Sequence, residues 1–563
     1  MSKKHISHNE AAAILEVTAA TIKNWQRLGR LSEQLTREEV LEVKASGLLR
    51  SRRNKTNLKR SQTCRSYIDG HYELKKLLSL PISEHEIPII LAEAALRLLS
   101  PGQSRLTAFL KGELSAGEAD PLIRGLLRDA IPSENTAKIT AVSWEISPEA
   151  DALGFIYISL LPLSRRHLMG AYYTPIDCAR KAVDKVDLSG TVLDPSCGSG
   201  SFLLAAAEKL GSPLTLRAMD IDPVAVSIAR FNLYLRYPGL GTDYLQKNIT
   251  VKSFFDEKSS YDVIIGNPPW GGRPELSGRF LLHTLNCLKT DGRFSLILPQ
   301  SLLTTRIHPE VRRSLLSQAR LLFADYLKNC FYGVYCPSVI LCGAKSAHPG
   351  VQGCVVNSEF TISKREIDPR CLNLNVTDEE STLLLQMKNL KNAARLKGSA
   401  TFALGIVTGG NKGLVSPTDG EPLIRGTDIT PFAVKEPSAF LTCDITKCQQ
   451  WAPREIYEAK EKIVYRFIGR RPVFAVDRLG RLSLNSCNII IPHIAGLDID
   501  YITAVLNSSA VGFFLEKSFA CEKWLRWQLE EIPIPVVSRE IQKEICNSPN
   551  WDQQINELYF GSL

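Results

Sequence analysis

Asn267-Pro268-Pro269-Trp270 follows the apolar run 261–266, YDVIIG, without a break. The Asn267 amide oxygen and the Pro268 carbonyl offer two hydrogen-bond acceptors side by side. Consecutive prolines stiffen the backbone and aim that carbonyl. Trp270 adds a flat aromatic face. Acceptors placed around one nitrogen answer a specific difficulty. The exocyclic amine of adenine is a poor nucleophile because its lone pair is delocalised into the ring. Acceptors on both N–H bonds let that nitrogen become tetrahedral as it attacks. A base taken out of its stack fits against Trp270. In isolation the tetrapeptide is equally an Asn-Pro turn at a strand end, so the rest of the chain must decide.

The stretch 191–204, TVLDPSCGSGSFLL, reads as a strand ending in Asp194, then a glycine-rich turn, then the start of a helix. In an open α/β sheet ligands bind outside such strand ends, and glycines allow the backbone to approach them closely. The next strand, LTLRAMD, ends in Asp220, whose carboxylate suits the two hydroxyls of a ribose. Ile221 follows, placed to pack on an adenine ring. The lysine of a P-loop is missing, and DPxCGxG is not the GxGxxG expected for a dinucleotide. The combination points to S-adenosylmethionine as cofactor. Attack on its sulfonium methyl requires neither a metal nor a covalent enzyme intermediate, so no metal site is expected, and proximity and orientation supply much of the rate.

These motifs need a scaffold. Between 170 and 345 short apolar runs alternate with amphipathic stretches: strands at 191–193, 214–219, 261–265, 293–298, 321–327 and 338–342, and helices at 201–210, 223–237 and 275–288. That alternation predicts a doubly wound α/β sheet of Rossmann type. Residues 66–168 read as helical, with no catalytic constellation. Residues 8–45 predict two short helices, 8–15 and 19–28, the first capped by Ser7. They are either a helix-turn-helix with Lys23, Asn24, Gln26 and Arg27 on its polar face or a plain helical hairpin. From 400 to 540 the pattern is mixed α+β, including the β-type run 488–491.

The 563 residues suggest two to four domains. Hydrophobic residues at 44% and charged residues at 23% are a globular balance. No apolar run is long enough for a membrane span, and the N-terminus has no apolar segment behind its charges, so a cytoplasmic, non-membrane protein is expected. The 14 cysteines include no CxxC pair and read as reduced thiols. A net charge of +9 fits a nucleic-acid partner and equally a basic metabolic enzyme. Seven basic residues and no acidic one lie from Arg50 to Arg65, either a solvated linker or a phosphate-tracking segment.

With its motifs in the order GAYYTP (170–175), DPSCGSGSF, AMDIDP and NPPW, the chain resembles the γ-class DNA amino-methyltransferases, TaqI-like adenine enzymes in particular. By that resemblance Thr174 binds the carboxylate end of the donor, Asp194, Gly198 and Gly200 line it, and Asp220 holds its ribose. Phe331 sandwiches the flipped base opposite Trp270. GIVTGGNKGL, PLIRGTDITPF, KIVYRFIGRRP, YITAVLNSSAVGFF and EIPIP are similar in style to the family's recognition domain, with Lys462, Arg466, Arg470 and Arg471 as phosphate contacts. Two positions depart from the pattern. Ser253 replaces the acid that reads the donor adenine, and Leu414 stands where an aromatic is common. The resemblance covers 170–540.

The expected organisation is a helix-turn-helix candidate at 1–48 and a basic and helical region at 49–168. A catalytic domain at 169–350, a connection at 351–399 and a DNA-recognition domain at 400–563 follow. The expected activity is site-specific adenine-N6 methylation of duplex DNA with base flipping, as the modification arm of a restriction or defence system with a separate nuclease or other subunits as partners. Cytosine-N4 methylation and methylation of a protein glutamine amide are the alternatives. The length of chain after the sheet weighs against the protein substrate.

Overall fold

The computed structural model describes residues 5–15, 22, 26, 31–32, 34–45, 82–128, 130, 134–141, 151–161, 174–271, 275–305, 307–327, 337–363, 371–409, 413–519 and 523–561. The chain forms two compact units, Val43–Leu374 and the pair of segments Met1–Glu42 with Asn375–Leu563.

The first unit is built on a nine-stranded sheet. Its strands are β1 (Val192–Asp194), β2 (Leu216–Asp220), β3 (Ile249–Val251), β4 (Tyr261–Gly266), β5 (Leu288–Pro299), β6 (Ala319–Leu327), β7 (Ser338–Lys345), β8 (Val355–Val356) and β9 (Phe360–Thr361). Their order is β3-β2-β1-β4-β5-β7-β6-β8-β9. The first five pair in parallel, and β7 runs antiparallel between β5 and β6. The sequence-based strands all lie in this sheet, and β3 is an addition to them, too short at three residues to show a period.

Side chains on a strand alternate between faces, and here the alternation separates two cores. Val192, Val263, Ile265 and Ile297 join one apolar cluster with the helices Ile176–Asp184, Ser201–Leu210 and Pro223–Arg236. Leu193, Ile264, Leu296 and Leu298 face the other, with the helices Leu276–Cys287 and Pro309–Gln318. The first cluster also takes in the helices Ile87–Leu99, Asp120–Leu126 and Ala152–Leu160. The helical region before residue 169 thus shares a core with the sheet. Burying the almost wholly apolar Ile87–Leu99 helix requires a second apolar face, and the sheet's helical layer provides one.

In the second unit Ala400–Ala403, Cys487–Pro492, Lys462–Arg466 and Phe474–Asp477 form a four-stranded antiparallel sheet. One face, with Ile463, Tyr465 and Ile490, packs on C-terminal helices including Ile499–Asn507 and Trp551–Phe560. The other, with Val464, Ala475 and Ile489, packs on smaller β-pairs. The helix His8–Leu15 begins at a reciprocal cap. Ser7 N donates to Glu10 Oε2 at 2.8 Å and Glu10 N to Ser7 Oγ at 3.2 Å. Of the second N-terminal helix only Ile22 and Gln26 are described. Gln26 Oε1 lies 2.7 Å from His8 Nε2, while Lys23, Asn24, Arg27 and the basic run 50–65 fall outside the described residues.

Candidate active site

β1 delivers Asp194 to the carboxyl edge of the sheet, and the chain then turns through residues 195–200 into the helix Ser201–Leu210. Gly198 and Gly200 have φ of +50° and +97°, the left-handed region that glycine enters at least cost. At Gly200 a Cβ would stand 3.3 Å from Ala229 Cα, so this glycine lets the loop press on the helix Pro223–Arg236. The loop is tied to β2: Cys197 N donates to Met219 O at 3.0 Å and Gly198 N to Asp220 Oδ2 at 2.9 Å. The other Asp220 oxygen accepts from Asp222 N at 3.0 Å, and Asp222 Oδ1 caps the next helix through Val224 N at 3.0 Å.

The loop, the end of β2 and the end of β4 surround a cavity of about 310 Å³. Thr174, Gly198, Asp220, Ile221, Asn267 and Pro269 all line it, so the structure brings these sequence-predicted residues together. Ile221 is 65% exposed, an apolar side chain held open beside the cavity. Asp194 and Gly200, also expected to line the ligand, are not among the residues that line the cavity. Asp194 is buried, with Oδ1 accepting from Ser196 N at 3.1 Å, and Gly200 faces Ala229. Gly266, with φ of +153°, is forced by the same carboxylate, since a Cβ there would sit 3.0 Å from Asp194 Oδ1.

At the end of β4 the Asn267 Nδ2 donates to Thr174 Oγ1 at 3.0 Å. This fixes the orientation of the amide, and Oδ1 is buried with no hydrogen-bond partner. Pro268 is buried and Pro269 half-buried. Trp270 is only 6% exposed and belongs to the apolar cluster under the sheet, so its ring is packed and does not stand as an open platform. Phe331 and residues 170–173 of the GAYYTP stretch fall outside the described residues.

Among the described residues no lysine or arginine lines the cavity, while the carboxylates of Asp220 and Asp222 do. Desolvation pushes the Asp194 carboxyl up to about 8, with the Asp220 charge adding to the shift. Burial likewise raises Asp220, and it pushes the Cys197 thiol well above its usual range. Such a site favours a cation.

The sequence reading missed two groups of residues. Gly154, Tyr157, Ile158 and Leu161, on and just after the helix Ala152–Leu160, form one side of the cavity. Phe254, Phe255 and Phe280 form another, beside Ser253, which the sequence reading places at the donor adenine. The first group carried a weak signal, Asp151 at the start of the apolar helix ALGFIYISL. In the second, the run VKSFF marked the position, but its contact with Phe280 is made only in the folded sheet.

In the second unit the candidate phosphate contacts divide. Lys462 is fully buried and pairs with Asp477 at 2.6 Å, so it has no surface role. Arg466 donates to the carbonyls of Gly426 and Ile429, each at 2.8 Å. Arg470 and Arg471 are exposed, each 3.3 Å from Glu516. Among the described residues only Cys178 of the cysteines is disulfide-bonded, against the expectation of thiols throughout. No described helix is long and apolar enough to cross a membrane.

Residues 149–277, which span the glycine turn, the end of β2 and Asn267, match the N-6 DNA methylase family. Residues 421–534 match the TaqI-like C-terminal specificity domain. The two matches make residues 149–277 an N-6 DNA methylase domain and residues 421–534 a TaqI-like specificity domain. The chain is 27% identical over 322 residues to the type II methyltransferase M.VspI of Vibrio sp. (strain 343), covering 51% of this chain and 76% of that protein. It is 33% identical over 113 residues to the MjaIX methylase subunit of a type I restriction enzyme of Methanocaldococcus jannaschii, 18% of this chain and 19% of that protein. The type IIL restriction-modification enzyme MmeI, solved in complex with DNA, shares the fold at 10% identity and a TM-score of 0.51, over 86% of this chain and 95% of that one. The chain thus joins an N-6 DNA methylase domain, which holds the cavity, to a TaqI-like specificity domain that follows the sheet.

Proposed function

We propose that the cavity at the carboxyl edge of β1, β2 and β4 takes S-adenosylmethionine, and that Asn267 activates the N6 amine of an adenine flipped out of duplex DNA. The observation that carries this is the Asn267 amide: its nitrogen donates to Thr174 and its buried oxygen has no partner. An unmet acceptor in a buried site is costly unless a donor arrives. An amine N–H is such a donor. The Pro268 carbonyl is the second acceptor, and the paired prolines hold both in place.

The cofactor fits the residues present. Asp220 stands at a strand end for ribose hydroxyls, Ile221 offers an open apolar face for a purine, and acid without base suits a cationic ligand. When bound, S-adenosylmethionine supplies an electrophilic methyl carbon on a sulfonium. Phe254 and Phe255 beside Ser253 offer apolar contact in place of the missing acid. Exposure leaves Arg470 and Arg471 as the candidate phosphate contacts. Partners are the duplex and, by analogy with the relatives, nuclease or other subunits of a restriction or defence system, all in the cytoplasm.

The test is transfer of labelled methyl to unmodified duplex DNA, with nucleoside analysis of the product and Asn267→Ala as control. N6-methyladenine that disappears in the variant is the expected result. N4-methylcytosine would keep the chemistry and change the base. Label in protein and none in DNA would overturn the substrate.

A further inference from the structure

Asp151 precedes the sheet by 41 residues of chain, yet it sits under the glycine turn and is 4% exposed. Four donors converge on it. Its Oδ1 accepts from Gly154 N at 3.0 Å and Asn232 Nδ2 at 2.8 Å. Its Oδ2 accepts from the hydroxyl of Ser199 and, at 3.1 Å, from that of Ser201. Asn232 Nδ2 also reaches Ser199 O at 2.9 Å. Both serines line the cavity. Two turns along the same helix, Tyr157 OH donates to Asp222 Oδ2 at 2.5 Å, on the β2 side of the cavity. One short helix therefore grips both cofactor-facing loops.

A carboxylate is an acceptor only. With both serine protons drawn to Asp151, the lone pairs left to Ser199 and Ser201 are the groups they can offer the cavity. We propose that Asp151 is a positioning residue for donor binding. It holds the glycine turn in place and orients the Ser199 and Ser201 hydroxyls as acceptors toward a cationic ligand. Burial of a carboxylate at this point is costly by itself, and an apolar side chain would pack the base of a purely structural helix. Four converging donors, two of them on cavity-lining hydroxyls, account for an acid here.

This rests on the cavity being the S-adenosylmethionine site, so calorimetry of that ligand on the wild-type full chain comes first. No binding would sink the underlying assignment. Given binding, Asp151→Asn keeps the shape and supplies an N–H donor where Oδ2 was. Ser199 and Ser201 must then accept from it, and their protons turn to the cavity. The donor Kd is expected to rise about 10-fold, the scale of one or two hydrogen bonds, with turnover at saturating donor and DNA Kd changing less than about 3-fold. Ser199→Ala/Ser201→Ala reaches the same contact from the loop side and leaves the Oδ1 partners of the acid, Gly154 and Asn232, in place. Combined with Asp151→Asn it is expected to add little. An unchanged donor Kd in either variant, full additivity, or a loss that tracks melting temperature in place of donor Kd would overturn the proposal.

Discussion

Asn267 Nδ2 donates to Thr174 Oγ1 across 3.0 Å, joining the end of β4 to a residue 93 positions earlier. This bond decides which end of the amide faces the cavity. Thr174→Val removes the acceptor and frees the amide to turn. We predict a fall in single-turnover methyl transfer of about 10-fold, against about 10²–10³-fold for Asn267→Ala, the scale of removing one preorganised polar group. Equal rates for Thr174→Val and wild type would show that the amide is oriented by something else.

The acids around the cavity set a pH dependence. Asp194 is pushed up to about 8 and Asp151 to about 6, both by burial. In each case the folded protein holds the proton more tightly than the unfolded chain does. The associated stability is present below the ordinary carboxylate range and is lost as pH rises through about 6 and then about 8. The ligand-free melting temperature should therefore fall across that window. A cationic donor favours the ionised carboxylates, so its binding should release protons and tighten with pH over the same range. Calorimetry in two buffers of different ionisation enthalpy reads the released protons, and zero release near pH 7 would contradict this.

Gly200 combines a φ of +97° with close approach to Ala229. Gly200→Ala should cost about 1–3 kcal/mol from backbone conformation alone, more if the helix is displaced, and donor affinity should fall with it. Chemical denaturation and donor titration measure the two effects separately. A variant as stable as wild type would show that the turn tolerates a side chain.

Lys462 and Asp477 form a fully buried pair in the specificity domain. Lys462→Met leaves a buried carboxylate facing only Arg481 and backbone donors, and should destabilise by about 3–5 kcal/mol. Arg470→Ala/Arg471→Ala should leave folding nearly unchanged and weaken DNA binding at every sequence. The salt slope should fall by about one for each phosphate that is no longer neutralised. Denaturation curves and salt-dependent DNA titrations distinguish the two classes. Strong unfolding of the arginine double variant would reverse the assignment.

Much of the catalytic sheet was readable because strands buried on both faces and amphipathic helices carry different periods. The tetrapeptide after YDVIIG and the turn after TVLD stood out because their backbones require proline and glycine. Lys462 shows where such reading stops. In the run KIVYRFIGRRP it looks like its basic neighbours, and only its pairing across the sheet with Asp477 shows that it is buried.

Local rules by themselves determined the order of strands and helices, the glycine turn, Asp220 at its strand end and Asn267 at another, because each depends on residues a few positions apart. Tertiary structure alone decided that Asp151 supports the glycine turn, that Thr174 turns the Asn267 amide, that Asp194 is buried, and that Trp270 is packed inward. Those outcomes depend on desolvation and on hydrogen bonds between residues separated by about 40 to 90 positions, and such distances leave no periodic trace in a sequence.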